Sequence, residues 1–208
     1  MTTIIDYKSG NIRSLSNALD RLGAEYVISS DANQISAADC ILFPGQGNID
    51  QVMKSLKQLG LIEPIKSFQK PFLGICVGMQ LLYGQSEEEN TKGLEIIPGT
   101  VRRFDESDQL KIPQMGWNTV IIAENDPLFA EIANETYLYF ANSFVAPVND
   151  FTLAKSQYGR EFTAVCRSGN FYGVQFHPEK SGPIGLQLLK NFLSLSYANH
   201  SSSRHYGW

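Results

Sequence analysis

Phe72-Leu-Gly-Ile-Cys76-Val-Gly-Met-Gln80 decides how this chain folds. Pro71 to Ile75 is a short apolar run that reads as a strand buried on both faces, and Val77 to Tyr83 reads as the helix after it. Glycines stand two positions either side of Cys76, at Gly74 and Gly78, the Gly-x-nucleophile-x-Gly spacing of a strained strand-to-helix turn. A side chain at such a turn projects above the carboxyl edge of a sheet, and the helix start beneath it favours a thiolate. The commoner fate of a free cysteine is to pack as a small hydrophobe. Cys40 and Cys166, in strand patterns without flanking glycines, are read that way. The paired glycines set Cys76 apart as a candidate nucleophile.

Outward from this turn, short apolar runs alternate with helical patterns. Thr2 to Asp6, Glu25 to Ile28 and Asp39 to Phe43 read as strands. Ile12, Leu15, Leu19 and Leu22 recur at spacings of three and four before Gly23 stops the helix, and Val52, Leu56 and Leu59 mark another from Ile49 to Leu59. Strands separated by helices predict right-handed crossovers and a parallel sheet. The second half differs. Gly93 to Phe104, Trp117 to Ala123, Glu135 to Ser143, Phe151 to Ser156, Thr163 to Arg167 and Asn170 to Phe176 are strand-like, and short loops make several antiparallel. A last helix, Gly182 to about Leu195, carries Ile184, Leu188, Leu189 and Phe192. The expectation is one three-layer α/β domain over residues 1–196, with a mixed central sheet and helices on both faces. Residues 197–208, polar and aperiodic, are expected to form a disordered tail.

Composition narrows the function classes. The 208 residues are 43 % hydrophobic and 18 % charged, which excludes extended disorder. A net charge of −4, with no basic run longer than Arg102-Arg103, does not suggest a nucleic-acid or anionic-membrane surface. The longest apolar stretch, Phe72 to Leu82, contains Gln80 and is too short to cross a bilayer. Met1-Thr-Thr-Ile-Ile-Asp6 has neither a basic region nor a long apolar one, so no secretory signal is expected. The three scattered cysteines form no Cys-x-x-Cys pair; a reducing cytoplasm is expected, with no disulfide framework, metal or cofactor.

The histidines are His177, His200 and His205, and the last two lie in the tail, so any chemistry needing an imidazole falls to His177. It sits in Tyr172-Gly-Val-Gln-Phe-His177-Pro-Glu179-Lys-Ser181. Pro178 keeps its neighbours extended, which puts the side chains of residues 177 and 179 on one side. Glu179 can then fix the imidazole tautomer while the other ring nitrogen faces Cys76. The alternative is a strand-end histidine with a hydrogen-bonded neighbour. Phe43-Pro-Gly-Gln-Gly-Asn48 follows a strand and opens a helix, so its N–H groups can meet an anion, though a plain turn reads equally well. Beside Cys76, a donor from Gly45 to Gly47 would contribute about 3 kcal/mol to stabilising an oxyanion. Gln80, one helical turn past the cysteine, can reach a polar substrate or stand as a surface residue.

Together with Lys111-Ile-Pro-Gln-Met-Gly-Trp-Asn118 and Tyr139-Phe-Ala-Asn-Ser-Phe144, these segments resemble the triad (class I) glutamine amidotransferases, from the first strand to about Leu195. The resemblance implies a flavodoxin-like domain that hydrolyses glutamine to glutamate and ammonia without a cofactor. In it Cys76 is nucleophile, His177 base and then acid, and Glu179 orienter. Val77 and the loop Gly45-Gln46-Gly47 form the oxyanion hole, and Gly47, Gln80, Ser143 and Phe144 line the glutamine site. The added stretches are similar to the branch that delivers ammonia to a (β/α)8-barrel cyclase in histidine biosynthesis. This implies a heterodimer, with Trp117, Tyr139 and Lys180 facing the partner and the ammonia route, and acceptor chemistry on the other polypeptide. Two residues depart from that branch: histidine usually stands where Gln114 and Asn142 stand here, in segments near the partner side. A paralogous branch that supplies ammonia for an amidine on a surface-polysaccharide sugar is therefore an alternative. A free-standing γ-glutamyl hydrolase or peptidase is a second, although in the peptidases histidine directly follows the cysteine, where Val77 stands here. A nucleotide-binding module is a third, and it leaves Cys76, His177 and Glu179 unexplained.

Overall fold

The computed structural model describes residues 1–8, 11–105 and 110–201, the side chains of 197–201 excepted. In chain order the first half comprises β1 (Thr2–Ile5), α1 (Ile12–Arg21), β2 (Tyr26–Ser29), α2 (Ala32–Ala37), β3 (Cys40–Phe43), α3 (Ile49–Gln58), α4 (Ile62–Lys66), β4 (Phe72–Ile75), α5 (Val77–Gln80) and β5 (Tyr83–Ser86). The second comprises β6 (Thr91–Lys92), β7 (Ile97–Arg103), β8 (Gln114–Ile122), β9 (Thr136–Asn142), β10 (Phe144–Val145), β11 (Thr152–Tyr158), β12 (Arg160–Ser168), β13 (Phe171–Val174) and α6 (Gly182–Ser201).

Nine strands form the central sheet in the order β2-β1-β3-β4-β13-β12-β11-β8-β9. The first five are parallel and the rest join antiparallel, giving the mixed sheet expected. Pleat alternation then divides the core in two. Ile4, Leu42, Leu73, Ile75 and Val174 point to one face and pack with Leu15 and Leu19 of α1 and Leu188, Leu189 and Phe192 of α6. Ile5, Ile41, Phe43 and Phe72 point to the other and pack with Val52 and Leu56 of α3, Ile65 of α4 and Met79 of α5. Each such buried side chain contributes roughly 1.5–3 kcal/mol of transfer free energy. Helix starts are capped by side chains: Asn11 accepts from Ser14 N–H, and Asn48 accepts from Asp50 N–H at 2.8 Å.

The structure corrects several boundaries. The helix expected over Val77 to Tyr83 ends at Gln80, and Tyr83–Ser86 is strand. Leu81, Leu82 and Tyr83 are all buried, and an apolar run buried on every side carries no period to separate helix from strand. β5 belongs to a second sheet, ordered β10-β7-β5-β6, which the sequence reading does not contain. The strand expected from Gly93 begins at Ile97, and the short helices α2 and α4 are additions to the expected elements. The last helix passes Leu195 and the expected domain end at 196 to reach Ser201; the remainder of the expected tail, 202–208, lies outside the described residues.

Candidate active site

Parallel pairing of β4 with β13 assembles the site. Phe72 faces Phe171 and Ile75 faces Val174, so the chain leaves the two strands side by side, with residue 76 next to 175 and His177 just beyond. About a hundred residues of sequence separation collapse into one strand spacing. Cys76 N–H donates to Val174 O at 2.7 Å, and Cys76 O accepts from the N–H groups of Met79 and Gln80 at 3.0 and 3.1 Å. These bonds hold Cys76 at φ 53° and ψ −108°, a backbone conformation that is costly for any side chain bearing a Cβ.

Two glycines make the turn possible. A Cβ on Gly78 would lie 2.6 Å from Phe43 O, and one on Gly45 would lie 2.7 Å from Val77 N. The loop after β3 therefore packs main chain against main chain under the cysteine. Val77 and Gly78 head α5, where N–H groups have no acceptor within the helix.

His177 is buried beside the sulfur. Its Nδ1 lies 2.8 Å from Glu179 Oε1, and His177 shares a cavity wall with Cys76. Glu179's side chain is only 5 % exposed, so the pair is shielded from water. Burial disfavours the charged imidazole, yet the adjacent Cys76 sulfur and the Glu179 carboxylate more than offset this and raise the His177 pKa from 6.5 to about 10. The backbone of this segment is fixed separately: His177 N–H donates to Tyr139 O at 2.8 Å, and Ser181 Oγ donates to His177 O at 2.7 Å.

A cavity of about 370 Å³ opens over Cys76 and His177, bounded by Gln46, Gly47, Val77, Gln80, Ser143 and Phe144. The candidate triad and most of the candidate substrate residues are thus brought to one place. Gly45 is different: it supports the turn from below and does not line the cavity. Trp117, Tyr139 and Lys180 also lie outside the cavity wall. Trp117 and Tyr139 are cross-strand partners on β8 and β9, with rings edge to face at 6.2 Å, and Trp117 is 56 % exposed. Met115 pairs with Ala141 in the next row on the same face, and Ala141 O is 3.9 Å from Cys76 Sγ. An exposed apolar strip therefore runs from Trp117 to the edge of the sulfur.

Gln114 and Asn142 face each other across the same two strands but on the opposite, buried face. Within these strands their side chains point inward, one residue out of phase with Met115 and Trp117.

Four cavity residues have no counterpart among the sequence-derived site candidates. Glu88 lines the wall, and its Oε2 accepts from Ile49 N–H at 2.9 Å; burial raises its affinity for a proton. In sequence it is one of three consecutive glutamates, Glu87 to Glu89, that look like a solvated turn. Asn142 lines the cavity with Oδ1 unpartnered, because its Nδ2 is held by Phe144 O at 3.0 Å. Pro113 and Ala141 complete the wall.

A family model described as glutamine amidotransferase class-I matches residues 3–195. A protein of Vibrio cholerae serotype O1 named imidazole glycerol phosphate synthase subunit HisH is 46 % identical over 198 residues, covering 92 % of this chain and 97 % of its own length. The protein of that name in Bacteroides fragilis is 45 % identical over 193 residues, covering 92 % and 98 %. A solved glutamine amidotransferase structure superposes with a TM-score of 0.71 at 18 % identity, covering 94 % of this chain and 98 % of that one.

Proposed function

We propose, for a chain that belongs to the class-I glutamine amidotransferases, that it is the glutaminase subunit of imidazole glycerol phosphate synthase. It hydrolyses glutamine and passes the ammonia to a (β/α)8-barrel cyclase subunit, in histidine biosynthesis. The observation that carries this reading is the His177–Glu179 pair held against Cys76 at the floor of a cavity sized for an amino acid.

The chemistry follows from the groups present. The Cys76 thiolate attacks the side-chain amide carbon of glutamine, and the carbonyl electron pair moves onto oxygen. Main-chain N–H groups at Val77 and in the loop Gly45–Gly47 receive that oxyanion. When the tetrahedral adduct collapses, the C–N bond breaks and the His177 imidazolium gives its proton to the departing nitrogen, so ammonia leaves rather than an amide anion. The imidazole, now neutral, takes a proton from water, whose oxygen attacks the γ-glutamyl thioester. Glutamate departs and the sulfur returns as thiolate. A positioned proton donor of this kind is worth about 10²–10⁴-fold. Glu179 holds the ring in one tautomer.

The rest of the cavity suits the amino-acid end of glutamine. The Glu88 carboxylate is an acceptor for the α-ammonium. Both N–H bonds of Gln80 are committed to protein oxygens, so it offers the ligand only an acceptor. The strip from Trp117 and Tyr139 to Ala141 is the docking face for the cyclase, with Lys180 at its margin. The activity is assigned to the cytoplasm, where the thiols of Cys40, Cys76 and Cys166 stay reduced; no helix of the described residues is long and apolar enough to cross a membrane.

The test is complementation together with turnover. This chain, supplied with its cognate cyclase, should rescue histidine auxotrophy in a strain lacking the subunit, and the complex should release glutamate from glutamine. Cys76→Ala should abolish both. Turnover without rescue would move the acceptor elsewhere, and no turnover would overturn the reading.

A further inference from the structure

Cys76 Sγ has a neighbour that the triad does not use. Gln175 is completely buried just past β13, and its side-chain Nε2 lies 3.6 Å from the sulfur. Its orientation is dictated by a chain of partners that begins at a main-chain carbonyl. A carbonyl only accepts, so any amide within reach of Phe144 O must present its nitrogen: Asn142 does so with Nδ2 at 3.0 Å, and Gln80 with Nε2 at 3.1 Å. The same nitrogen gives its second N–H to Gln175 Oε1 at 3.0 Å. With its oxygen committed to Gln80, Gln175 must turn its nitrogen toward Cys76. Reversing either amide would set donor against donor or acceptor against acceptor.

From this geometry we infer that Gln175 is a further catalytic residue, whose side-chain N–H donates to the Cys76 thiolate. The inference rests on the reading of Cys76 as nucleophile. A hydrogen bond to a charged group is stronger than one between neutral groups, and burial strengthens it further. An amide stays neutral across the working pH range, so Gln175 stabilises the sulfur without competing for the proton that His177 moves. The bond matters at two moments: in the free enzyme, and when water displaces the sulfur and the thioester's electron pair returns to it. In the thioester itself the sulfur is neutral and the donor has little to do. The relay also ties the nucleophile to Phe144 O at the mouth of the cavity. A shift of β10 would therefore reach the sulfur through two amides.

The experiment uses two variants in the assembled complex with the cyclase. Gln175→Met keeps the length and removes the donor; Gln175→Glu keeps an oxygen for Gln80 and puts an acceptor against the sulfur. The titratable groups around the sulfur are His177, Glu179 behind it, Glu88 across the cavity and Tyr7 beneath the loop, and all remain in both variants. Alkylation of Cys76 by iodoacetamide is followed by mass spectrometry across pH, alongside glutamate release. The expected result is an alkylation midpoint raised by about one pH unit or more, with kcat lowered about tenfold and KM changed by less than about twofold. A purely structural role would lower the melting temperature and leave the midpoint where it is, and that result overturns the inference. Should neither variant fold, glutamine-15N-labelled wild-type protein decides. A side-chain amide resonance that tracks the alkylation midpoint supports the donor, and none doing so overturns it. Alkylation needs no glutamine turnover, so failure of the glutaminase reading and failure of this one give different results.

Discussion

Tyr139 and His177 are joined through the backbone: the carbonyl of Tyr139 accepts the His177 N–H at 2.8 Å. The ring of the same tyrosine stands edge-on to Trp117 on the exposed face of the strand pair. One residue thus contacts the His177 main chain on one side and the exposed apolar strip on the other. Ser181 closes the arrangement, accepting from Tyr139 N–H at 2.9 Å while donating to His177 O.

Ser181→Ala tests this bracket. Removing the hydroxyl leaves the Tyr139 N–H without its partner, at a cost of about 1–3 kcal/mol, while His177 O keeps only the Lys180 N–H at 3.0 Å. Urea unfolding should show that loss. Glutamate release by the complex should fall as well, because a misplaced imidazole no longer meets the leaving nitrogen. A variant as stable and active as the parent would mean that the bracket contributes nothing.

The proton held on His177 sets a pH limit. Burial alone would lower its pKa; the Cys76 sulfur and Glu179 reverse the sign and raise it to about 10. The imidazolium needed by the leaving nitrogen is therefore present below that value and lost above it, so the alkaline limb of kcat/KM should lie near pH 10. Glu179→Gln removes a charge that favours the imidazolium, which moves the limb downward. It also slows turnover, by up to about 10⁴-fold if the wrong tautomer becomes dominant. A pH profile of glutamate release by the complex measures both, and a limb that stays in place in the variant would contradict the assignment.

What the sequence disclosed follows from how local each signal is. The Cys76 turn was legible because glycine spacing reports a close main-chain approach within one short segment. His177 was legible by elimination among three histidines, and Glu179 as its near neighbour. The extended His-Pro-Glu expected around Pro178 is replaced by a 3-10 turn over Pro178–Lys180 that starts after an extended His177, because proline fits the first position of such a turn. The β4–β13 neighbour relation that brings them together needed the parallel order of the sheet, which alternation of strand and helix implies but does not number.

The rest depended on contacts between distant segments. Glu88 joins the cavity because the β5–β7 sheet folds it over α3, and nothing in a run of glutamates announces this. Gln175 reads as one more residue of a strand end until Gln80 and Phe144 O fix its direction. The inward orientation of Gln114 and Asn142 is a matter of strand phase, and moving the phase by one residue reverses the face.

Gly78→Ala tests the cost of crowding the nucleophile's turn. The added methyl would meet Phe43 O at 2.6 Å and Phe43 Cδ1 at 2.9 Å, and the first of these is backbone in a central strand. Overpacking of this kind costs about 1–3 kcal/mol, occasionally more. Relief would come from moving α5, which carries Val77 N–H away from the oxyanion. Glutaminase activity should therefore fall further than thermal stability does, as read by melting and turnover on the same preparation. Loss of stability with turnover preserved would place the oxyanion donor elsewhere.

Trp117→Ala tests where the cyclase docks. An exposed tryptophan resting on Tyr139, with Met115 and Tyr137 also exposed beside it, has the composition of a binding hot spot. Truncation of such an anchor costs about 2 kcal/mol or more, a weakening of roughly 30-fold in Kd. Ile28, exposed on β2 at the other end of the parallel strands, is the control, since it presents apolar area without continuity to the sulfur. Titration calorimetry against the cyclase should show the loss for Trp117→Ala and none for Ile28→Ala. The opposite pattern would put the partner on the far edge, where ammonia released at Cys76 would have to cross the whole parallel half of the sheet to reach it.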